Sequence, residues 1–199
     1  MANKQSAPQK LSPAATLIEY VELFVFAVVF VILLMTFCLR LCAVDGDSMN
    51  NTLTDKQKLL ISDLFYKPQA GDIVVVHLSS SDVAYYNKPL VKRVIATEGQ
   101  FVKIDYTAGA VYVSEDDTFT ADEILDESAY AYFEGGRWDE AVRGEPAEVF
   151  AVPEGHVFLM GDNRNNSADS RNEHIGAVPE SCLLGRAVLR LAPFTVFRR

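Results

Sequence analysis

Hydrophobic residues follow two different patterns along this chain. Near the N-terminus, residues 23–39 form a run of 17 residues that contains no charge and is apolar on every side of a helix. A run of this length predicts a helix that crosses a membrane, since about 17–25 residues at ~1.5 Å each span the hydrocarbon layer. From residue 71 onward, apolar residues instead come in short β-branched runs between Gly, Asp and Pro, which predicts strands.

We interpret the long apolar run as an uncleaved anchor that spans residues 23–43. A buried helix of a soluble core would carry a polar stripe, and none is present. A cleavable signal peptide has a shorter apolar centre of about 7–15 residues and then a small-x-small site, whereas Arg40 follows here. The balance of Lys and Arg on the two sides does not predict the orientation of the span.

The remaining segments predict a mainly β protein. Strands are expected at Ile73–Val76, Leu90–Ile95, Phe101–Ile104, Val111–Val113, Val157–Met160 and Leu183–Leu191. Residues 1–22 then form an N-terminal tail, and residues 44–199 form the folded domain. The expected fold is an antiparallel β-sheet core that is anchored by one N-terminal helix.

Charge and cysteine content narrow the class of protein. The formal net charge of −9 and the pI near 4.8 argue against a basic surface that binds nucleic acid. Between Lys103 and Phe150 there are 13 acidic and three basic residues, which predicts a solvated inserted sub-domain at about residues 105–150. Three cysteines without a CxxC pair indicate neither a disulfide scaffold nor a zinc site.

Ser48 is a candidate nucleophile. Gly46 and Asp47 precede it closely, which predicts a tight turn that presents its hydroxyl group. A serine in such a turn is also common without any catalytic role. A Ser–His–Asp triad that uses Ser48 stays open as well, because triads occur in several chain orders.

Lys92 is a candidate general base. In the predicted strand its side chain shares a face with Leu90 and Val94, because side chains alternate along a strand. Burial on an apolar face lowers the pKa of an ammonium group and leaves more of the neutral form that accepts a proton. The alternative is a surface lysine whose stem covers the sheet while its head reaches water.

A third polar segment covers residues 161–171, whose side chains are rich in hydrogen-bonding groups. It predicts either a rigid polar network or a well-bonded surface loop. A calcium loop is excluded, because Arg164 stands at the third position and Ser167 at the sixth, where an acceptor and a Gly are needed.

Together these segments resemble the bacterial type I signal peptidases. The resemblance rests on an apolar span followed by GDSM at 46–49, GDIVVV at 71–76, VKRVI at 91–95 and GDNRNNSADSR at 161–171. It implies a largely β catalytic core at the membrane, with a smaller inserted cap of variable size. The related enzymes of the endoplasmic reticulum carry His where this chain has Lys92, so the bacterial members are the better match.

The resemblance also implies roles for single residues. Ser48 corresponds to the nucleophile and Lys92 to the general base. The implied supporting residues are Ser167, which orients the lysine, Asp169 and Arg171, which form an ion pair, and Gly161, where the backbone packs closely. The implied substrate-binding positions are Val44, Gly46, Met49, Leu90 and Val91. No metal and no cofactor is implied.

The function expected from this resemblance is the removal of N-terminal signal peptides from secretory preproteins after a small-x-small motif. The expected partners are preproteins and the lipid bilayer, without nucleic acid, and the chain is expected to be a monomer. It would cross the bacterial cell membrane once, with residues 1–22 in the cytoplasm and the catalytic domain outside. The alternatives are a self-cleaving repressor, a processing peptidase of a conjugation system, and a non-catalytic anchored β-domain that binds partners through its acidic insert.

Overall fold

The computed structural model describes residues 12–78, 88–139 and 145–197. The chain divides into two compact units, Met1–Cys38 and Leu39–Arg199. The first unit contains one long helix, and the second contains all of the strands.

Helix α1 covers Pro13–Phe37 and is long and apolar enough to cross a membrane. The side chain of Ser12 caps it by accepting a hydrogen bond from the Ala15 N–H at 3.3 Å, and proline occupies the first helical position. The helix therefore begins earlier than the predicted span of 23–43, because a count of apolar residues does not register this start signal. It also ends earlier, since Arg40–Ala43 form a strand.

Eleven strands are described in the second unit. They are β1 (Arg40–Ala43), β2 (Lys58–Ser62), β3 (Ile73–Val76), β4 (Leu90–Ala96), β5 (Phe101–Asp105), β6 (Ala110–Ser114), β7 (Glu148–Ala151), β8 (His156–Met160), β9 (Val178–Pro179), β10 (Leu183–Leu191) and β11 (Phe194–Val196). Every predicted strand is confirmed to within two residues. The additional strands β1, β2, β7, β9 and β11 carry short or mixed sequences whose pairing partners decide their structure.

The main sheet is antiparallel and has the strand order β1-β2-β10-β3-β4-β8-β9, with β11 on β10. Strand β4 lies near its centre, between β3 and β8. The predicted fold class, mainly β with an antiparallel core and one N-terminal helix, is confirmed.

A second sheet, with the order β6-β5-β7, is formed by the acidic part of the chain. Its inner side chains pack against the main sheet in one apolar cluster. The cluster includes Val102 and Ile104 of β5, Trp138 of the insert, and Phe158 and Met160 of β8. The insert is thus attached to β8, the strand that leads directly into the polar segment 161–171.

Candidate active site

Ser48 and Lys92 meet in the main sheet although 44 positions separate them along the chain. Lys92 Nζ and Ser48 Oγ form a hydrogen bond of 2.7 Å. Ser48 lies in the turn that follows β1, and Lys92 lies within β4. The hydroxyl and the amine are therefore at a distance that permits direct proton transfer.

The environment of Lys92 favours the neutral amine. The residue is only 3% exposed, and its pKa is lowered to about 8, chiefly because burial disfavours the ammonium form. The charges of Asp169 and Asp162 oppose this lowering of the pKa, whereas the charge of Arg171 contributes to it. The sequence-based expectation of a desolvated lysine agrees with this burial, and the alternative of a lysine head in water does not.

The turn that carries Ser48 is held from both sides. Met49 is completely buried beneath it, and Leu53 N–H closes the following turn on the Met49 carbonyl at 2.8 Å. From the other side, the backbone N–H of Asn163 donates to the Ser48 carbonyl at 3.0 Å, and its side-chain amide donates to the Asp47 carbonyl at 3.1 Å. The polar segment 161–171 thus fixes the position of the hydroxyl group.

Gly161 allows these two segments to approach closely. A Cβ atom at this position would lie 2.2 Å from Ser167 Oγ and 2.5 Å from the Ser48 carbonyl oxygen. Both distances are shorter than contacts that real Cβ atoms make. Only glycine is therefore compatible with the observed spacing between the two segments.

Asp169 and Arg171 form a two-pronged ion pair behind this contact. Arg171 Nε and Nη2 donate to the two Asp169 carboxylate oxygens, both at 2.8 Å, and the Gly161 N–H donates to Oδ2 at 2.9 Å. Burial opposes ionisation of Asp169, but the charge and hydrogen bonds of Arg171 and the Gly161 N–H outweigh it, so the pKa of Asp169 is lowered. The pair keeps a buried carboxylate charged next to the lysine.

Ser167 lies beside the same groups. Its Oγ is buried, lies close enough to Asp169 to help lower the pKa of that carboxyl, and has no partner in good hydrogen-bond geometry among the described residues. The orientation of Lys92 by Ser167, which the resemblance implies, therefore stays a prediction.

A small cleft of about 160 Å³ opens at the candidate dyad. It is lined by Asp45, Gly46, Asp47, Ser48, Leu90, Lys92, Asn166 and Ala168. Two of the predicted substrate-binding residues, Gly46 and Leu90, thus lie in its wall. The other three, Val44, Met49 and Val91, are at most 7% exposed and belong to one apolar cluster of the core.

Sequence reasoning missed a second set of buried charges next to the site. Arg93 Nε and Nη2 donate to Asp162 at 2.8 and 2.6 Å, and Arg93 Nη1 donates to the Gly71 carbonyl at 2.8 Å. Arg164 forms a similar pair with Glu127 of the insert. The available signal was an arginine inside an otherwise apolar strand, since such a residue needs a buried partner.

The histidines do not take part in this arrangement. His156 Nδ1 lies 2.8 Å from the carbonyl of Glu154 in its own turn, and His174 lies beside Glu173 on the surface. The described hydrogen bond of Ser48 Oγ is with Lys92 and not with a histidine. The geometry thus favours a Ser–Lys pair over the Ser–His–Asp alternative.

Comparison with known proteins gives a consistent family. The family model described as signal peptidase, peptidase S26, matches residues 17–192. The chain is 34% identical over 189 residues to probable signal peptidase I-1 of Synechocystis sp. (strain ATCC 27184 / PCC 6803 / Kazusa), with 92% of this chain and 86% of the relative covered. It is 30% identical over 209 residues to signal peptidase I of Bacillus licheniformis, with 100% and 99% covered.

A solved signal peptidase I structure from Enterococcus faecalis V583 has a TM-score of 0.41 and 23% identity, and covers 61% of this chain and 97% of its own. The resemblance seen in the sequence is thereby confirmed by the matches of the family model and the named relatives. The chain belongs to the signal peptidase family, peptidase S26, and is a serine peptidase.

Proposed function

We propose that this chain is a membrane-anchored endopeptidase that uses Ser48 as nucleophile and Lys92 as general base to remove signal peptides from secretory preproteins. The observation that carries the proposal is the 2.7 Å hydrogen bond between Lys92 Nζ and Ser48 Oγ, in which the lysine residue is only 3% exposed. The two relatives described above carry the name signal peptidase I, and the chain aligns with nearly the whole length of each. This favours a signal peptidase over a repressor or a conjugation peptidase, and membership of a serine peptidase family contradicts the non-catalytic alternative.

The proposed reaction begins with proton transfer from Ser48 to the neutral amine of Lys92. Oγ attacks the carbonyl carbon of the scissile peptide bond, and the tetrahedral oxyanion is stabilised by the backbone N–H of Ser48. When the C–N bond breaks, Lys92 returns the proton to the leaving amine and an acyl-enzyme remains. Lys92 then takes a proton from a water molecule, whose oxygen attacks the ester carbonyl carbon. The C–O bond to Oγ breaks as Lys92 returns the proton to Ser48, and the signal peptide leaves with its new carboxyl group.

The sheet offers a place for an extended substrate beside these groups. Strand β3 pairs with β4 along its first four residues, from Leu90 to Arg93, whereas β8 pairs with β4 only from Arg93 onward. The β8 side of Leu90–Lys92 is thus available for backbone pairing with a preprotein segment. The small cleft at Ser48 suits Ala or Gly side chains, which supports a small-x-small motif.

Helix α1 would act as the membrane anchor. Its apolar side chains are exposed around the whole circumference, and lipid is the environment in which such a helix is stable. We propose a single-pass protein of the bacterial cell membrane, with the tail on the cytoplasmic side, the catalytic unit on the outer side and no partner subunit. This places the dyad on the side where preproteins emerge.

The test uses the full chain in detergent micelles with a preprotein that carries Ala-x-Ala before its cleavage site. Ser48→Ala and Lys92→Ala are expected to abolish cleavage without a large change in the melting temperature. His77→Ala is the matched control, since it removes a half-buried polar side chain just after the neighbouring strand β3. If Lys92→Ala keeps most of the activity and His77→Ala does not, the dyad assignment is wrong.

A preprotein with Leu in place of the last Ala before the cut tests the cleavage motif. The small cleft predicts that it is cleaved far more slowly than its Ala parent, measured as initial rates at equal concentration. Equal rates for the two preproteins would contradict the proposed motif and leave the dyad untouched.

A further inference from the structure

We infer that Trp138 of the acidic insert is a positioning residue for the catalytic site, because it holds the guanidinium of Arg171 in the Asp169–Arg171 pair. The inference rests on the proposed function, since it assigns the insert a role in supporting the Ser48–Lys92 site. The insert would then be part of the catalytic structure and not only a wet surface.

Trp138 is a fixed ring in contact with a fixed cation. It is 3% exposed, and Arg171 Cζ lies 5.4 Å from the centre of its ring. Tyr106 and Phe133 pack edge-on against it, with ring centres 5.2 and 5.0 Å away, and this leaves the indole little freedom. A desolvated cation over the face of a tryptophan is stabilised by the ring's electrons.

The segment that carries Trp138 is also hydrogen-bonded to the polar segment 161–171. The side-chain amide of Asn165 donates to the Arg137 carbonyl at 2.9 Å and to the Glu134 carbonyl at 3.3 Å. Its side-chain oxygen accepts a hydrogen bond from the Asp139 N–H at 3.2 Å. Asn165 thus forms hydrogen bonds with the insert on both sides of Trp138, and these bonds fix the ring relative to Arg171.

Arg171 connects this ring to the reacting groups through a short chain of contacts. Two of its nitrogens hold Asp169 and the third donates to the Arg164 carbonyl at 2.8 Å. Asp169 in turn accepts the N–H of Gly161, the residue that packs against the Ser48 carbonyl. A displaced guanidinium would loosen each of these contacts in sequence.

Displacement of Arg171 would also change the charges that act on Lys92. The groups that influence its amine are Asp169 and Asp162, which raise the pKa, and Arg171, which lowers it. Around Arg171 itself lie Asp169, Tyr106 and Glu127, and the adjoining cavity adds Asp139, Glu148 and Arg164. If Arg171 moves away, the Asp169 charge is less compensated and the pKa of Lys92 rises.

The test compares Trp138→Leu, Trp138→Phe and the control Phe150→Leu in the full chain in micelles. Phe150 packs against the same apolar cluster, but its described ring contact is with Phe158 and not with Trp138 or Arg171. The measurement is kcat/KM for preprotein cleavage from pH 6 to 10, together with the melting temperature of each variant.

Trp138→Leu is expected to move the acid limb of kcat/KM upward by about 0.5–1 pH unit. At pH 7 this is a loss of roughly 3- to 10-fold, whereas at pH 10 the variant approaches the parent. Trp138→Phe, which keeps an aromatic face, is expected to recover most of the shift, and Phe150→Leu is expected to leave the limb in place. If Trp138→Leu is unstable, Asn165→Ala replaces it, because this change removes the hydrogen bonds that fix the segment around Trp138 but keeps the tryptophan itself. It is expected to shift the limb in the same direction.

An unchanged limb or an even loss of activity at all pH values for Trp138→Leu, or an equal shift of the limb for Phe150→Leu, would overturn the inference. These outcomes differ from a failure of the proposed function. In that case Lys92→Ala would retain activity in the parent background, whereas here Lys92 stays essential and only the role of Trp138 is rejected.

Discussion

Strand β4 carries two adjacent buried basic residues, Lys92 and Arg93, whose surroundings differ. Lys92 and Arg93 are 3% and 8% exposed, but they point to opposite sides of the sheet. Arg93 forms an ion pair with Asp162 through two hydrogen bonds and donates a third hydrogen bond to the Gly71 carbonyl. Its guanidinium also lies 4.0 Å from the centre of the Tyr130 ring. Lys92 makes no ion pair among the described residues and contacts the hydroxyl of Ser48.

The same division continues on the neighbouring strand. Gly161 and Asp162 follow β8 directly, where Met160 pairs with Arg93. Gly161 packs on the Ser48 side, and Asp162 binds Arg93 on the other side. A buried basic side chain thus supports the structure when its charge is fully paired, and becomes a candidate base when its desolvation is not offset by an ion pair.

Two single substitutions, which give each residue the side chain of the other, test this difference most strongly. Lys92→Arg should lower cleavage by at least about 10³-fold, because a guanidinium does not deprotonate at any pH used and so cannot act as the base. Arg93→Lys should lower cleavage far less but decrease the free energy of unfolding by about 1–3 kcal/mol, since an ammonium cannot replace the two-pronged pair. Cleavage assays and melting curves of both variants decide; equal effects on activity would refute the division.

Removing the partner of Arg93 should have the next largest effect. Asp162→Ala leaves a buried guanidinium without its carboxylate and should lower the free energy of unfolding by about 3–5 kcal/mol. The control is Asp63→Ala, which breaks an ion pair with Arg40 at the surface, where both side chains are about half exposed, and should change it by less than about 1 kcal/mol. Similar losses in the two variants would show that burial of the pair is unimportant.

The sequence predicted the strands well because β-branched runs between turn residues carry a local signal. The alternation in Leu90–Ile95 also placed Lys92 on an apolar face, as the structure has it. The meeting of Lys92 with Ser48 could not be derived from local patterns, since it depends on how strands pair across 44 positions. That assignment came from the resemblance to signal peptidases.

The contacts of the acidic insert could not be predicted from local sequence patterns either, because they also join segments that are far apart along the chain. Glu127 and Trp138 lie in a stretch whose charge predicts only a solvated surface, yet they contact Arg164 and Arg171 of the polar segment 161–171. Such contacts depend on the fold of both partners. The predicted start of the helix is wrong for a different reason, because the Ser12-Pro13 start signal lies ten residues before the uncharged apolar run begins.

Lys92 should weaken the fold in proportion to its desolvation. Lys92→Met removes the charge and should raise the free energy of unfolding at pH 7 by up to about 3 kcal/mol while activity is lost. The folded-state pKa of about 8 lies below the unfolded value of about 10.4, so between these values the unfolded chain binds more protons and the parent gains stability as pH rises. The advantage of the variant should therefore shrink from pH 8 and vanish near pH 10.4.

Melting curves from pH 6 to 10.5 check this prediction. Lys58→Met, at an exposed position of β2, is the control and should stay within about 0.5 kcal/mol of the parent at each pH. A difference between Lys92→Met and the parent that does not depend on pH would show that packing, and not desolvation of the amine, sets the effect.

The smallest expected effect is that of Gly161→Ala, which should displace groups on the Ser48 side of the sheet. Gly161→Ala places a Cβ against Ser167 and the Ser48 carbonyl, so the loop or the nucleophile must move. A displacement of about 1 Å is enough to lower kcat/KM by roughly 10²-fold. Because Asp162 and Arg93 lie on the other side, the loss of stability should be smaller than in Asp162→Ala.

The double variant Gly161→Ala, Ser167→Gly separates the two obstacles. It removes the Ser167 side chain, which is the nearest neighbour of the new Cβ, but leaves the Ser48 carbonyl oxygen 2.5 Å away. Because a backbone atom held by Asn163 cannot yield as a side chain can, cleavage should stay low in the double variant. Recovery of activity to the level of Ser167→Gly alone would show that the serine side chain, and not the backbone of the nucleophile, is what Gly161 accommodates.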